Sequence, residues 1–349
     1  MKELDVEDFI TGVGFQSISD YVFSKTIANN KKELLKSPTF YLLNYSDNKN
    51  SETVLLRNKN IALHENSLIF THSELINNLF ENIKNVNGFG NFTVISHMSD
   101  KIINKNILKK IPNQVNRLYV INSNVDSNKI SNIPLGLGNE YSKKNIHKND
   151  LSYLYLSNFY KEEISMYLNF NLNTNYKIRS PLYDKFRIYN WVNVENHSLD
   201  KLKYVDDLKN STFVLCPPGN GPDTHRVWEA LYSGSIPIVL DTPTFNSYND
   251  LPIMRVKSFN DITYERLENY LISIKNNKDL SLSKLSLSWW RNHLINEINL
   301  KNQYLKETST YELKNLEINL KINLKANNLK KLIKRFNHKI SQIVNGSGK

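Results

Sequence analysis

The sequence predicts an α/β protein of two Rossmann-like halves followed by a basic amphipathic helical tail. Three observations predict it. Residues 211–241, STFVLCPPGNGPDTHRVWEALYSGSIPIVLD, read as strand, helix and strand, the pattern of a parallel pair in a sheet covered on both faces. Between residues 91 and 139 three apolar runs each end in polar or glycine-bearing residues, as strands do when their C-terminal ends open on one side of a sheet. With 349 residues, 40% hydrophobic and 11% aromatic, the chain is long enough to fill two cores.

In chain order, residues 1–38 mix Phe9, Phe15, Tyr21 and Phe23 with polar residues. The triplet Gly12-Val13-Gly14 lacks dinucleotide-fingerprint spacing and reads as a turn. Residues 39–43 are a first strand, and residues 54–56 and 67–70 are further short strands. Leu75, Ile76, Leu79, Phe80 and Ile83 fall at helical spacing within 73–86, and Gly88 ends that helix. Residues 91–95 form a strand that delivers Ser96, His97, Ser99 and Asp100 into its loop, residues 117–121 form the next with Asn122 at its end, and residues 130–135 lead into Gly136 to Asn139.

The polar run 139–150 marks a linker, which places one domain at 1–145, a second at 146–300 and the tail at 301–345. Residues 151–157 and 166–170 open the second sheet, 171–175 form a loop, and Arg179 begins a helix. Residues 191–194 are a strand and 202–208 a helix whose Asp206 and Asp207 lie on a solvated face. Residues 213–216 are then a buried strand, stopped by Pro217 and Pro218. Gly219, Asn220 and Gly221 loosen the loop, Asp223 caps a helix over 224–232, Gly234 ends it, and 236–240 is the second strand. Residues 253–256 form another strand, and 264–274 and 285–298 are helices, the last carrying Trp289 and Trp290 as a packing anchor, with a sugar platform as their other account.

The loop at 217–223 lies at a strand's C-terminal end, where open α/β sheets bind ligands. Backbone N–H groups freed by Gly219 and Gly221, with the positive end of the helix dipole, suit an anion. Arg226 and Glu229 share a helix face; a guanidinium in the first turn suits a diphosphate and a carboxylate one turn on suits vicinal hydroxyls. An i,i+3 surface ion pair is the other account of those two residues, and simple packing is the other account of His225.

Composition narrows the function classes. Net charge is +11, yet residues 301–349 hold eleven Lys or Arg against three Glu, so the first 300 carry only +3 and do not describe a nucleic-acid-wrapping core. One cysteine, Cys216, excludes an internal disulfide framework, and no cluster has metal-ligand spacing. The first residues lack the order of a signal peptide and no run of about 18 apolar residues occurs, so a cytoplasmic protein is expected. The tail places Leu313, Leu316, Leu320 and Leu324 opposite Lys321, Lys325, Lys330 and Lys331; an anionic membrane, another helix and the protein's own body all suit such a face.

Residues 217–241 resemble the C-terminal signature of exostosin-like glycosyltransferases, a GT-B class group that includes xylosyl- and glucuronosyltransferases and bacterial relatives. The His97-Met98-Ser99-Asp100 loop and the Ile133-Pro134-Leu135-Gly136-Leu137-Gly138-Asn139 segment are similar to bacterial relatives of the group, and Thr174, Asn175 and Arg179 match its Thr-Asn-x-x-x-Arg segment. The resemblance implies two Rossmann-like domains facing across a cleft, the second holding a nucleotide-sugar donor. Arg226 would then hold the diphosphate and Glu229 the ribose, with Gly219, Asn220, Gly221, Asp223, His225, Thr174 and Arg179 around them.

The function expected is transfer of a sugar from a nucleotide-diphosphate sugar to a hydroxyl of a glycan or glycolipid, by inversion, without metal or other cofactor, in surface-glycan assembly. The acceptor hydroxyl needs a base, for which Asp100 is the first candidate and His97 the second; capping or loop hydrogen bonding is the other account of both. A protein peripheral to the inner membrane face, with no nucleic-acid partner, fits that function. A non-catalytic nucleotide or polyanion binder is the alternative: the same loop would hold phosphate and the tail would hold the polyanion, with steep salt dependence.

Overall fold

The computed structural model describes residues 3–26, 52–56, 63–64, 66–84, 91–140, 142, 145–195, 200–297 and 305–306. Within them, side-chain alternation sets the first sheet. Its six strands run in the order Glu52–Leu56, Tyr21–Thr26, Leu68–His72, Phe92–His97, Val115–Val120, Ile130–Asn132. All neighbours are parallel except the edge strand Glu52–Leu56, which runs antiparallel to Tyr21–Thr26. Ile69, Val94 and Leu118, in register across three strands, pack with Leu79, Phe80 and Ile83 of the helix Ile76–Lys84. Their neighbours Phe70, Ile95 and Tyr119 point the other way, into a core shared with the second sheet.

The second sheet is wholly parallel, in the order Val192–Val194, Met166–Leu168, Phe213–Leu215, Ile236–Leu240, Met254–Val256. Taken along the chain this order is 2-1-3-4-5, so connections diverge to either side between Met166–Leu168 and Phe213–Leu215. A crevice forms beyond such a reversal because the loops after the two strands leave in opposite directions. The predicted strand–helix–strand unit is present: Phe213–Leu215, the helix His225–Tyr232 and Ile236–Leu240. Gly234, at φ +74°, ends the helix in the left-handed region that a side chain would disfavour.

The halves are joined through the chain's beginning and its last described helix. Glu3–Leu4 pairs antiparallel with Leu154–Tyr155. In the helix Leu287–Glu297, Trp290 is buried edge-on to Phe15 and Tyr119, and its indole N–H donates to the Lys284 carbonyl at 2.9 Å. The Tyr232 hydroxyl accepts from the Ile10 N–H and donates to the Leu285 carbonyl, tying three segments to one atom. Trp290 is thus the packing anchor predicted.

Several expectations need correction. Residues 12–17 are a helix, not a turn: Thr11 accepts from the Gly14 N–H at 3.0 Å and Phe15 is buried, so a cap and a core contact override two poor helix formers. Residues 154–155 do not open the second sheet, since their partner is the N-terminal strand. The strand expected at 39–43 and the helical face expected from Leu313 onward lie outside the described residues; within the stretch assigned to the tail, Leu305–Lys306 is a short strand paired with Leu63–His64. Among the described residues, no helix is long and apolar enough to cross a membrane.

Candidate functional site

A cavity of about 1440 Å³ lies at the reversal of the second sheet and is faced by loops of the first. Its second-sheet wall comes from the loops after Met166–Leu168 and Phe213–Leu215 and from the helix His225–Tyr232. Val227, Trp228, Ala230 and Leu231 sink into the core, and this leaves His225, Arg226 and Glu229 on the cavity side.

Arg226 has a guanidinium whose buried Nε lacks a hydrogen-bond partner, and it stands 5.8 Å from the Phe170 ring centre. Two residues back, at the helix N-cap, the Thr224 hydroxyl is also buried without a partner and makes no capping bond. Glu229 is only 6% exposed, and its Oε2 accepts from the Tyr204 hydroxyl at 2.9 Å. Among the described residues no ion pair joins Arg226 to Glu229, so the surface-pair account of these two fails; burial separates their partners.

Arg179, 4% exposed, is held by backbone carbonyls at the cavity. Its Nε donates to the Pro218 carbonyl, Nη2 to the Pro217 carbonyl and Nη1 to the Asn171 carbonyl, at 3.1, 3.3 and 2.8 Å. It therefore braces both crevice loops while also lining the cavity. Burial, and then the charge of Arg226, lowers its guanidinium to about 10. Thr174 is exposed at the rim, and the Asn175 amide donates to the Gly219 carbonyl.

The glycine loop also differs from expectation. The Gly219 N–H donates to the Gly221 carbonyl within the loop, so it is not held open for an anion. Gly221 is needed for closeness: a Cβ there would lie 2.7 Å from the Asn122 amide nitrogen. Asn122 in turn accepts from the Asp223 N–H at 3.0 Å. Asp223 does not cap the helix with a free side chain; its buried carboxyl accepts from the Trp228 indole N–H and the Leu135 N–H. Burial pushes it up to about 8 against the pull of those donors.

On the first-sheet wall, His97 is 1% exposed with both ring nitrogens in use. Nδ1 accepts from the Met98 N–H at 2.8 Å, which puts the proton on Nε2, and Nε2 donates to the Pro134 carbonyl at 3.0 Å. Burial lowers it to about 4, so it is neutral at pH 7 with no lone pair to offer; His97 is not placed to take a proton from an acceptor. Asp100 is exposed at the rim, where its Oδ2 accepts from the Asn220 amide at 3.0 Å across the mouth. His225 reaches back the other way, Nδ1–H donating to the Gly136 carbonyl at 2.7 Å. Asn220, Asp223 and His225 thus meet Asp100, Leu135 and Gly136, and with the Asp223–Asn122 bond they link the two walls.

Two of these residues were not assigned to the site from the sequence. Asn122 sits at a strand's C-terminal end, the signal that singled out His97 and Asp100, and that signal sufficed to find it. Tyr204 lies in the helix Lys201–Asn210, read only as a connector; a tyrosine on a helix's buried face needs a partner for its hydroxyl. The lone Cys216 is buried, and burial pushes its thiol far up, which suits a core residue. Among the described residues no three His, Cys, Asp or Glu side chains converge as a metal group would require.

Comparison with known proteins adds to this geometry. The family model described as the RXYLT1 C-terminal domain matches residues 140–282, which take in the whole five-stranded sheet and the helix bearing Arg226 and Glu229. A probable glycosyltransferase of Arabidopsis thaliana is 34% identical over 96 residues, covering 26% of this chain and 19% of that protein. The chain therefore matches about a fifth of that curated relative's length. Both matches support an exostosin-like glycosyltransferase family, the one that residues 217–241 resemble.

Proposed function

We propose that this chain is a glycosyltransferase of GT-B architecture that moves a sugar from a nucleoside-diphosphate sugar to a hydroxyl acceptor. The observation that carries the proposal is the start of the helix His225–Tyr232 at the crevice, which turns Arg226 and Glu229 to the cavity and leaves the buried Thr224 Oγ1 and Arg226 Nε without partners in the protein. Buried polar groups in folded proteins have partners, and a diphosphate seated at this helix start supplies the missing acceptors. Residues 146–300 then hold the donor, with the diphosphate on Arg226 and the ribose on Glu229, and residues 1–145 present the acceptor.

In the transfer step the acceptor oxygen attacks the anomeric carbon while the bond from that carbon to the diphosphate breaks, its electron pair leaving with the diphosphate. Arg226 and the helix dipole meet the negative charge that grows on the leaving group, where preorganised donors have the most effect. This charge stabilisation needs no metal. The acceptor proton goes to Asp100, whose Oδ2 is held by Asn220 and whose Oδ1 is left to receive it. Attack from the face opposite the diphosphate inverts the anomeric centre. Because Asn220 belongs to the donor loop, a filled donor site and an oriented base go together.

The surplus of Lys and Arg in residues 301–349 would draw the chain to anionic lipid on the cytoplasmic face of a membrane, where a glycolipid acceptor or another surface-glycan precursor is assembled. The test is thermal stabilisation of wild type and Arg226→Ala by UDP-, GDP-, CMP- and dTDP-sugars without added metal. Stabilisation by one nucleotide family, absent in the variant, is expected. Equal responses of the two proteins, weakened alike by salt, would favour a polyanion binder instead.

A further inference from the structure

Resting on the donor site just proposed, we infer that Tyr204 is a positioning residue which holds Glu229 for the ribose and so makes the site select ribonucleotides over deoxyribonucleotides. A carboxylate on a flexible side chain, 6% exposed, needs something to fix it. The Tyr204 hydroxyl does so, donating to Oε2 at 2.9 Å and leaving Oε1 toward the cavity that both residues line. Burial and the Glu229 charge hold the phenol well above its ordinary range, so it remains a donor at any working pH.

Tyr204 is itself held in place. Its ring lies 6.1 Å from that of Tyr167, which is buried in the strand Met166–Leu168. The Tyr167 hydroxyl accepts from the Asn169 amide at 2.9 Å and donates to Asp207, one turn beyond Tyr204 on the same helix. Glu229 is thereby connected through two aromatic rings to the sheet rather than left to find its own rotamer. With one oxygen taken by Tyr204, the other is fixed for a pair of adjacent hydroxyls.

A nucleotide lacking one of those hydroxyls leaves a desolvated carboxylate oxygen without its donor. Losing a hydrogen bond to a charged group weakens binding by about 10- to 100-fold. The same pocket gives no such advantage to a deoxyribose, so a dTDP-sugar is disfavoured as donor relative to a ribonucleoside diphosphate sugar.

The test is a binding cycle on the full chain, using UDP and GDP with their 2′-deoxy and 3′-deoxy counterparts against wild type, Tyr204→Phe and Glu229→Gln. Wild type is expected to prefer the ribo form by about 10- to 100-fold. Tyr204→Phe is expected to lose most of that preference while binding the deoxy form as wild type does, a split that general loosening of the fold would not give. Glu229→Gln keeps the shape and should lose the preference too. A Tyr204→Phe protein that keeps the full preference, or that binds both forms weaker by one common factor, overturns the positioning role. Failure of wild type to bind any of the nucleotides would instead overturn the donor site itself.

Discussion

The two walls of the cavity treat their polar groups in opposite ways. On the second-sheet side, Thr224 Oγ1 and Arg226 Nε are buried without partners, and Glu229 has one oxygen bonded and one toward the cavity. On the first-sheet side, His97 has both ring nitrogens engaged and Asp100 is held by a residue from the opposite wall. In the proposed reading, the unpartnered atoms of the second-sheet wall are met by the ligand. On the first-sheet wall the satisfied His97 contributes shape, and Asp100 depends on the other wall for its orientation. In the same reading, the donor side draws on one sheet for its diphosphate and ribose contacts, and the acceptor side becomes a site only when the two walls meet.

Substitutions can break this contrast, beginning with the largest effect. Asp100→Asn should lower the transfer rate by about a thousandfold, within the range of general base catalysis, while nucleotide affinity changes little. Full rate in that variant, measured under donor saturation, would remove Asp100 as the base. Arg226→Ala should weaken nucleoside diphosphate binding by about a hundredfold, since a charged hydrogen-bonding fork is lost from a partly buried site; a titration calorimeter reads this directly.

His97→Gln tests the satisfied wall. The folded protein keeps His97 at about 4 against an ordinary 6.5, so the neutral form is favoured in the native state. Its contribution is complete above about pH 6.5 and is lost as pH falls toward 4, on the order of 3 kcal/mol across that window. The variant should be less stable at pH 7 and should show a flatter decline below pH 6.5 in thermal melts. If the acid limb were unchanged, His97 would not be the buried neutral group described.

Thr224→Val carries the smallest effect and sharpens the contrast most. Because the hydroxyl has no partner in the protein, replacing it with a methyl should leave the unliganded melting temperature unchanged or slightly raised. Nucleotide affinity should fall by about 3- to 10-fold, the loss of one neutral hydrogen bond. A variant that melts lower and binds equally well would mean that the hydroxyl serves the fold and not a ligand.

The same contrast separates what the sequence made legible from what it did not. The strand–helix–strand unit could be read because periodicity, the Pro217-Pro218 stop and Gly234 are local signals, and the faces of the helix followed from residue spacing alone. The partners of the charged groups could not. Arg179 is met by carbonyls of Asn171, Pro217 and Pro218, and His97 by the carbonyl of Pro134; a backbone oxygen is present at every position and marks none of them in a sequence. Spacing offered Glu229 only one candidate partner, Arg226 three residues away, as the alternative to a ligand, whereas Tyr204, 25 residues away, reaches it through packing of separate elements. Gly221 read as freedom for the loop and proved to be room for Asn122 from the other half. The helix at residues 12–17 was hidden because its reason for forming, the burial of Phe15 against Trp290, comes from the far end of the described chain.

The measurement closest to the central claim is a crystal structure of the full chain grown with the nucleoside diphosphate that stabilises it most. The expected density places the diphosphate at the start of the helix His225–Tyr232, within hydrogen-bond reach of the Arg226 guanidinium and the Thr224 hydroxyl, and the ribose hydroxyls on Glu229. A nucleotide bound elsewhere, or bound there with Arg226 turned away and Thr224 still without a partner, would contradict the assignment of this crevice as the donor site.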